Sequence, residues 1–410
     1  MSANYSPDAG RTQVLVVGAG PVGLLTALRL RQQGVDVRLI EQQSAYHAHA
    51  FPVVLHPQSL RILNELGVSA ALFWRGRPVT HLVAFSEYER RAVLKLPGVK
   101  GVFAGALTMP QDVLRQALCH ALEASGVQIE WSTRLAVLQQ DKSRVWGRLL
   151  REDPARLLRA GATPEKSSFE ADFVVGADGY ESTVREALGI QLVPHGALET
   201  FAFFDAPTNR AGSEAHLAFA ADYVNSVYPL QAGRARFSFQ LGQSLNKLAD
   251  AAALRELLYQ RMPWYGEDIE TCEWGGVAEF RHALAERFGQ GRVWLAGEAA
   301  HLTGPIGVQS VNVGLDEGNE LALCMAEALQ GQGSAPFGEH YCTARRRQWR
   351  QLLGLEERAI VGTRTPDWVR RHAQRLIGSL PASEADLDDL LAQLRLTASS
   401  APPAQARGFR

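Results

Sequence analysis

Cysteine is scarce in this chain. Its four residues, Cys119, Cys272, Cys324 and Cys342, are scattered with no CxxC spacing. That pattern suggests neither a zinc centre nor a disulfide framework, and it fits a reduced, cytoplasmic setting. Long apolar runs are missing too, and none approaches the ~20 residues of a transmembrane helix. The opening stretch MSANYSPDAG is polar and lacks the apolar core of a secretory leader. Charge of one sign is absent: 42 Lys and Arg against 43 Asp and Glu leave a net charge of −1. Whole-chain electrostatics therefore give no reason to expect nucleic acid or an anionic membrane. No internal repeat is found, and no metal site is expected.

What is present is enough for two or more globular domains: 410 residues, 46% hydrophobic and 21% charged. The chain is organised around Thr12 to Glu41, TQVLVVGAGPVGLLTALRLRQQGVDVRLIE. Val14 to Val17 read as a buried parallel strand. Gly18, Gly20 and Gly23 follow as GxGxxG, with Pro21 and Val22 between them, and the pattern then turns helical through Leu24, Leu25, Leu28 and Leu30. Gly34 ends the helix, and a second strand, Val35 to Ile40, finishes on Glu41. In this setting Gly18 allows the tight turn, Gly20 lets a pyrophosphate approach, and Gly23 lets helix and sheet pack closely. The helix N-terminus offers N–H groups to phosphates, and Glu41 offers a carboxylate to an adenosine ribose. The stretch announces a dinucleotide site.

Further along, a helix is expected from Pro57 to Leu66, a hairpin from Val79 to Leu96 turning at Glu87 to Arg91, and a helix from Pro110 to Ser125. Strands follow at Val127 to Trp131 and Arg134 to Leu138. Arg151 to Ser168 reads as an exposed hairpin tip, and Phe173 to Val175 as a short strand. From Gly196 to Glu279 the texture is strand-rich, interrupted by one helix, Asn246 to Met262, which suggests an inserted second domain. A buried strand at Arg292 to Ala296 precedes a loop and a helix from Val311 to Leu329. The remainder to Leu396 reads as helical, and TASSAPPAQARGFR as a disordered tail. The basic stretch TRTPDWVRRHAQRLI is read as a solvated covering helix in preference to a membrane-surface one.

Two more motifs sit at strand ends. GADGYESTVR places Asp178 between glycines at the start of a helix. GEAAHLTGPIGVQSVN places Gly297 and Glu298 after a buried strand, then a Gly/Pro loop running into a helix near Asn312. In this order the three motifs resemble the FAD-dependent, NAD(P)H-using aromatic hydroxylases of the para-hydroxybenzoate hydroxylase fold, a family that includes ubiquinone-pathway and polyketide-tailoring hydroxylases. The likeness runs from about Gln13 to Glu357.

The resemblance implies an α/β chain: a Rossmann-like FAD-binding domain at 11–75, 102–194 and 281–330, a strand-rich substrate domain at 76–101 and 195–280, C-terminal helices at 331–398 and a tail at 399–410. It implies FAD held by Gly18, Gly20, Pro21, Val22, Gly23, Glu41, Gln111, Asp178, Gly297, Glu298, Gly307, Val308, Gln309, Ser310, Val311 and Asn312. It implies NADPH or NADH as co-substrate, bound in a surface groove, with molecular oxygen and a small aromatic, quinone-like or polyketide substrate. Oxygen transfer would pass through a flavin C4a-hydroperoxide beside Pro305. The hard chemistry belongs to the cofactor.

His216, Tyr223 and Tyr228 are candidates to hydrogen-bond or deprotonate a phenol. Phe201, Phe203, Phe237 and Phe239 are candidates for an apolar pocket wall. His301 reads as structural, and His47 or His49 as a stand-in for the arginine that many relatives set against the FAD ribose.

Two features depart from the family. Its GD acid is Asp where this chain has Glu298, which moves the carboxylate by about 1.5 Å. Val308 and Ser310 stand at glycine positions of the flavin loop, and a β-branched Val tolerates positive φ poorly. The altered loop keeps open an alternative on the same fold: an FAD-dependent reductase, dehydrogenase or isomerase without oxygen insertion. A non-catalytic flavin-binding scaffold is the third reading.

Overall fold

Val14 to Val17 are apolar at every position because their strand, Gly10–Val17, is covered on both faces. It pairs in parallel with Val37–Ile40 on one side and Glu165–Gly176 on the other. Val293–Leu295 and Ile129–Glu130 extend the parallel run, and Gly289–Gln290 closes one edge antiparallel. Thr133–Gln140 and Val145–Arg151 add an antiparallel ribbon to Glu165–Gly176, completing eight strands. The computed structural model describes residues 10–45, 52–152, 163–210, 212–242, 249–266, 269–331, 337–356, 359–381 and 385–398. His47, His49, residue Asn246 and the tail at 399–410 lie outside them.

The Pro21–Gln32 helix is buried on nearly every face, sandwiched between this sheet and the long Gln309–Leu329 helix. Leu24, Leu25 and Leu30 have no exposed surface, each worth roughly 2 kcal/mol of burial. The two helices approach closely because Gly314 and Gly318 face Val22 and Thr26; a Cβ on Gly318 would sit 2.3 Å from the Thr26 hydroxyl.

A second eight-stranded sheet is antiparallel except for one parallel pair, Glu214–Phe219 with His81–Ser86. Its order runs His301–Leu302, Trp274–Ala285, Leu192–Pro207, Arg234–Leu241, Val224–Leu230, Glu214–Phe219, His81–Ser86 and Glu89–Lys95. One face carries the Ala251–Arg261 helix over Phe204, Phe237 and Phe239. The other turns towards a small three-stranded sheet, Pro52–Leu55, Ala106–Pro110 and Arg77–Val79, and the C-terminal helices Asp367–Ser379 and Ala385–Gln393. This is the mixed α/β architecture expected, with its inserted strand-rich layer.

Several details differ from expectation. The hairpin turns at Glu87 and Tyr88, both at positive φ, so its second strand starts at Glu89 and takes in the polar residues read as turn. Phe173 to Val175 are the end of a twelve-residue strand. The C-terminal remainder is not wholly helical: Ala359–Val361 pairs with Leu396–Ala398. Trp368 is buried in the core beneath the second sheet, so the basic Asp367–Ser379 helix lays its apolar face on protein. Among the described residues no helix is long and apolar enough to cross a membrane.

Candidate functional site

A cleft of about 270 Å³ opens at the C-terminal ends of the parallel strands, where open α/β sheets bind ligands. The three glycines of the first strand-to-helix turn divide their work by geometry, and two of them, Gly18 and Gly20, line the cleft. Gly18 has φ +101°, and a Cβ there would sit 2.4 Å from the Ala177 carbonyl; one on Gly23 would sit 1.9 Å from the Gly18 carbonyl. Gly20 is extended, and a Cβ there would meet nothing within 4 Å. Two glycines are therefore demanded by the fold itself, and the middle one borders open space. The Pro21–Gln32 helix starts at this point with Pro in its first turn, no side-chain cap and no acidic residue. Its positive end is open to an anion.

Glu41 lines the cleft, and its carboxylate is already partnered. One oxygen accepts the Ala19 N–H at 2.7 Å and the other the Gln43 N–H at 2.9 Å. Each oxygen keeps lone-pair capacity for a hydroxyl. Asp178 also lines the cleft while accepting from the Ser182 hydroxyl at 2.6 Å, the Thr183 hydroxyl at 3.0 Å and the Val184 N–H at 3.1 Å. It shapes the turn as much as it faces the cleft. The Arg185 guanidinium ties that turn to the next motif, donating to the carbonyls of Ala299 and Tyr180.

Gly297 and Glu298 form a short 3-10 turn whose Gly297 N–H donates to buried Glu317 at 2.8 Å. Glu317 is fully buried and also bound by His301 and the Trp349 indole, which bears out the structural reading of His301. The Glu298 side chain reaches the cleft with protein crowded around it, and that crowding pushes its carboxyl pKa up, opposed by His301. The side chain is nonetheless exposed, and it borders the cleft.

The loop 305–312 splits between two directions. Val308 takes φ +51° and ψ +43°, the left-handed region, as N-cap of the Gln309–Leu329 helix. Ser310 lies inside that helix without positive φ, so only one of the two glycine substitutions strains the backbone. Val308, Ser310 and Val311 face the cavities. Gly307, Gln309 and Asn312 line neither of these two, although Gln309 borders a third. A Cβ on Gly307 would sit 2.4 Å from the Gly378 carbonyl, and Gln309 donates to the Leu380 carbonyl at 2.7 Å. Asn312 is fully buried, accepting from the His56 N–H and the Ser59 hydroxyl, and donating to the carbonyls of Val54 and Val308. Its amide pins the loop in place and forms no part of the cleft wall.

A second cavity, also of about 270 Å³, shares Gln111, Glu298, Ser310 and Val311 with the cleft. Its apolar lining includes Val53, Val54, Phe203, Phe280, Pro305 and Val308. The Tyr228 hydroxyl is buried in this lining and has no hydrogen-bond partner among the described residues; burial pushes its pKa well up. Next to it across the strands, Arg236 is held by Asp205 through two bonds of 2.6 Å and lies 4.6 Å from the Trp274 ring.

The other candidates fall elsewhere. His216 is on the opposite face of the sheet, ringed by Phe85, Trp264 and Tyr265, and burial pushes its pKa down. Tyr223 borders a separate groove beside Arg261. Phe203 lines the second cavity, whereas Phe237 and Phe239 belong to the core on the far face. Strand alternation is the cause: residues two apart share a face and neighbours do not. Arg115, one helical turn after Gln111 and lining the same cleft, was absent from the expectations although the i, i+4 spacing signals it. Thr108, Ser226, Arg236, Phe280 and Thr303 come from separate segments and carry no such signal.

Comparison with known proteins agrees with this geometry. The profile of the family described as FAD binding domain matches residues 11–355. The chain is 27% identical over 348 residues to 6-methylpretetramide 4-monooxygenase of Streptomyces rimosus, covering 83% of this chain and 60% of that relative. It is 26% identical over 398 residues to pentachlorophenol 4-monooxygenase of Sphingobium chlorophenolicum, covering 92% and 72%. It thus spans less than two thirds of the first relative's length. Among solved structures, p-nitrophenol 4-monooxygenase from Pseudomonas putida DLL-E4 superposes with a TM-score of 0.70 at 21% identity, covering 92% of this chain and 91% of that one. A ternary complex of aklavinone-11 hydroxylase with FAD and aklavinone gives 0.61 at 24% identity, covering 85% and 67%.

Proposed function

The chain belongs to the FAD-binding-domain family and has the para-hydroxybenzoate hydroxylase fold, and on that premise we propose that it is an FAD-dependent, NAD(P)H-using monooxygenase of small aromatic or polyketide-like molecules. The observation that carries this is the junction of two cavities. An anion-ready cleft with an uncapped helix end runs into an apolar cavity whose wall holds an unpartnered hydroxyl, and Glu298, Gln111, Ser310 and Val311 belong to both. The residues present fit FAD: the open space at Gly20 suits a pyrophosphate, and Glu41 has lone pairs for a ribose. Gln111, Gly297, Glu298, Ser310 and Val311 would hold the remainder. Bound FAD would take reducing equivalents from NAD(P)H and activate molecular oxygen for transfer of one atom.

The protein's own part is binding and exclusion of water. Val53, Val54, Phe203, Phe280 and Pro305 give a dry wall that favours a ring. Tyr228, kept protonated by burial, serves as a hydrogen-bond partner to a substrate oxygen and not as a base. We divide the chain as the motifs suggest, with the FAD-binding unit at 11–75, 102–194 and 281–330 and the substrate unit at 76–101 and 195–280.

A second reading, FAD chemistry without oxygen insertion, draws on the left-handed Val308 and on Glu298, which both border the place where the ring would lie. One experiment separates the two: NAD(P)H oxidation by the FAD-loaded protein against a panel of phenols, quinones and tetracyclic polyketides, with product mass. A substrate-stimulated rate with gain of one oxygen supports the first reading. Turnover without oxygen gain supports the second, and a colourless protein that takes up no FAD overturns both.

A further inference from the structure

On the far side of the Pro305 loop lies a third cavity, of about 440 Å³, bounded by His195, Glu199, His282, Gln309 and Arg375. Thr303 and Gly304 line both this cavity and the one holding Tyr228, so the two are separated by a single stretch of chain. Three side chains line up across that partition. His282 Nε2 lies 2.9 Å from Glu199 Oε2, and His282 Nδ1 lies 3.4 Å from the Thr303 hydroxyl. The other oxygen of Glu199 accepts from Gln240 Nε2 at 3.0 Å. Gly304 makes the approach possible, because a Cβ there would sit 2.9 Å from Glu199 Oε2, the oxygen that meets His282.

The carboxylate can only accept, so it selects the His282 tautomer with hydrogen on Nε2 and leaves Nδ1 as an acceptor facing Thr303. That is the arrangement of a base oriented by an acid. The 3.4 Å contact is long, as such contacts often are until a substrate is in place.

We propose that Thr303, His282 and Glu199 form a proton relay that carries the proton of a substrate hydroxyl out of the Tyr228 cavity and into the third cavity. This rests on the reading above that the substrate is a phenol or an enol. The substrate O–H bond breaks and its proton passes to the Thr303 oxygen, as the Thr303 proton moves to His282 Nδ1. The imidazolium so formed is held by Glu199 and discharges to solvent through the third cavity. No electrons move, and the substrate is left as the electron-rich anion that an oxygen-transfer step prefers. Titratable or charged groups facing His282 from its neighbours are Glu199, His195 on the paired strand and Arg375 on the C-terminal helix; across the partition stand Glu298, Tyr228 and Arg236.

The test has two arms. Nitrogen-15 NMR of histidine-labelled, FAD-loaded protein reads the relay with no substrate present. His282 should show the Nε2–H tautomer, its Nδ1 resonance should shift in Thr303→Val, and the tautomer preference should weaken in Glu199→Gln. An Nδ1–H tautomer, or a spectrum that Thr303→Val leaves unmoved, overturns the relay. In turnover, with an unactivated phenol whose pKa of about 10 keeps it protonated at neutral pH as the substrate, His282→Gln should lower kcat at neutral pH by about a hundredfold. The loss should shrink as pH rises and the phenol ionises unaided, and Thr303→Ser should retain the rate. A loss equal at every pH, or an unchanged profile, overturns the relay. Should the wild-type protein oxidise none of the panel, the monooxygenase reading fails by itself, and the NMR arm still decides the relay.

Discussion

His301 and Glu317 meet at 2.9 Å where neither side chain has any solvent exposure. Burial alone would raise the Glu317 carboxyl, but His301, Arg345 and the Trp349 indole together hold it below the ordinary glutamate range. Trp349 also stacks on the imidazole at 3.8 Å. An amide in place of the carboxylate keeps only one acceptor oxygen, so either the Gly297 N–H and the imidazole or the Trp349 indole N–H would face an NH2 donor. Glu317→Gln should therefore destabilise the protein by about 3–5 kcal/mol in urea unfolding at neutral pH. The sign with pH follows from the lowered pKa: the Glu317 contribution is present above about pH 4.5 and fades as pH falls through its lower folded value. The variant should accordingly lose less stability on acidification than the wild type.

The three glycines of the first turn should separate into two classes. Gly18→Ala and Gly23→Ala force a Cβ against backbone carbonyls at 2.4 and 1.9 Å, so both should unfold at markedly lower temperature even without FAD. Gly20→Ala meets nothing within 4 Å. Its apoprotein should melt like the wild type while FAD affinity, followed by flavin fluorescence, falls at least tenfold. Equal melting losses in all three would refute the division of roles.

Val308→Gly should stabilise the apoprotein by about 1 kcal/mol, since a β-branched residue in the left-handed region costs roughly 1–3 kcal/mol and glycine gives part of that back through its unfolded-state entropy. Val308→Ala keeps the Cβ and should show less gain. Thermal unfolding of the pair, compared with wild type, is the measurement.

Tyr228→Phe removes a hydroxyl that has no partner in the cavity wall. Folding should be unaffected or slightly favoured, because a buried unsatisfied group is lost. Substrate KM should rise about tenfold, matching one lost hydrogen bond of about 1.5 kcal/mol. An unchanged KM would mean that the hydroxyl does not meet the substrate.

How far the sequence carried depends on the range of the interactions involved. The turn from Gly18 to Gly23 was legible because its demands are local: a positive φ, a close carbonyl and a helix start within a few residues. The strand-rich insertion was legible as texture. The inward face of each strand was not, because Phe201 to Phe204 are apolar at every position and both faces of that sheet are covered, so alternation is masked. His216 and Tyr228 looked equivalent for that reason, and only the register between strands separates them. The burial of Asn312 against residues 54 to 59 and the meeting of Glu199, His282 and Thr303 join segments far apart in the chain, and no local pattern encodes them.

Four side chains, Gln111, Glu298, Ser310 and Val311, belong to the walls of both the cleft and the Tyr228 cavity. Two ligands that press on the same wall are thermodynamically linked. If an occupant of the cleft tightens the grip on a substrate by some factor, the substrate must tighten the grip on that occupant by the same factor. With a cofactor in the cleft and a substrate in the cavity, the hold on one would report on the other, and a cofactor dissociation rate would become a gauge of what fills the cavity beside it.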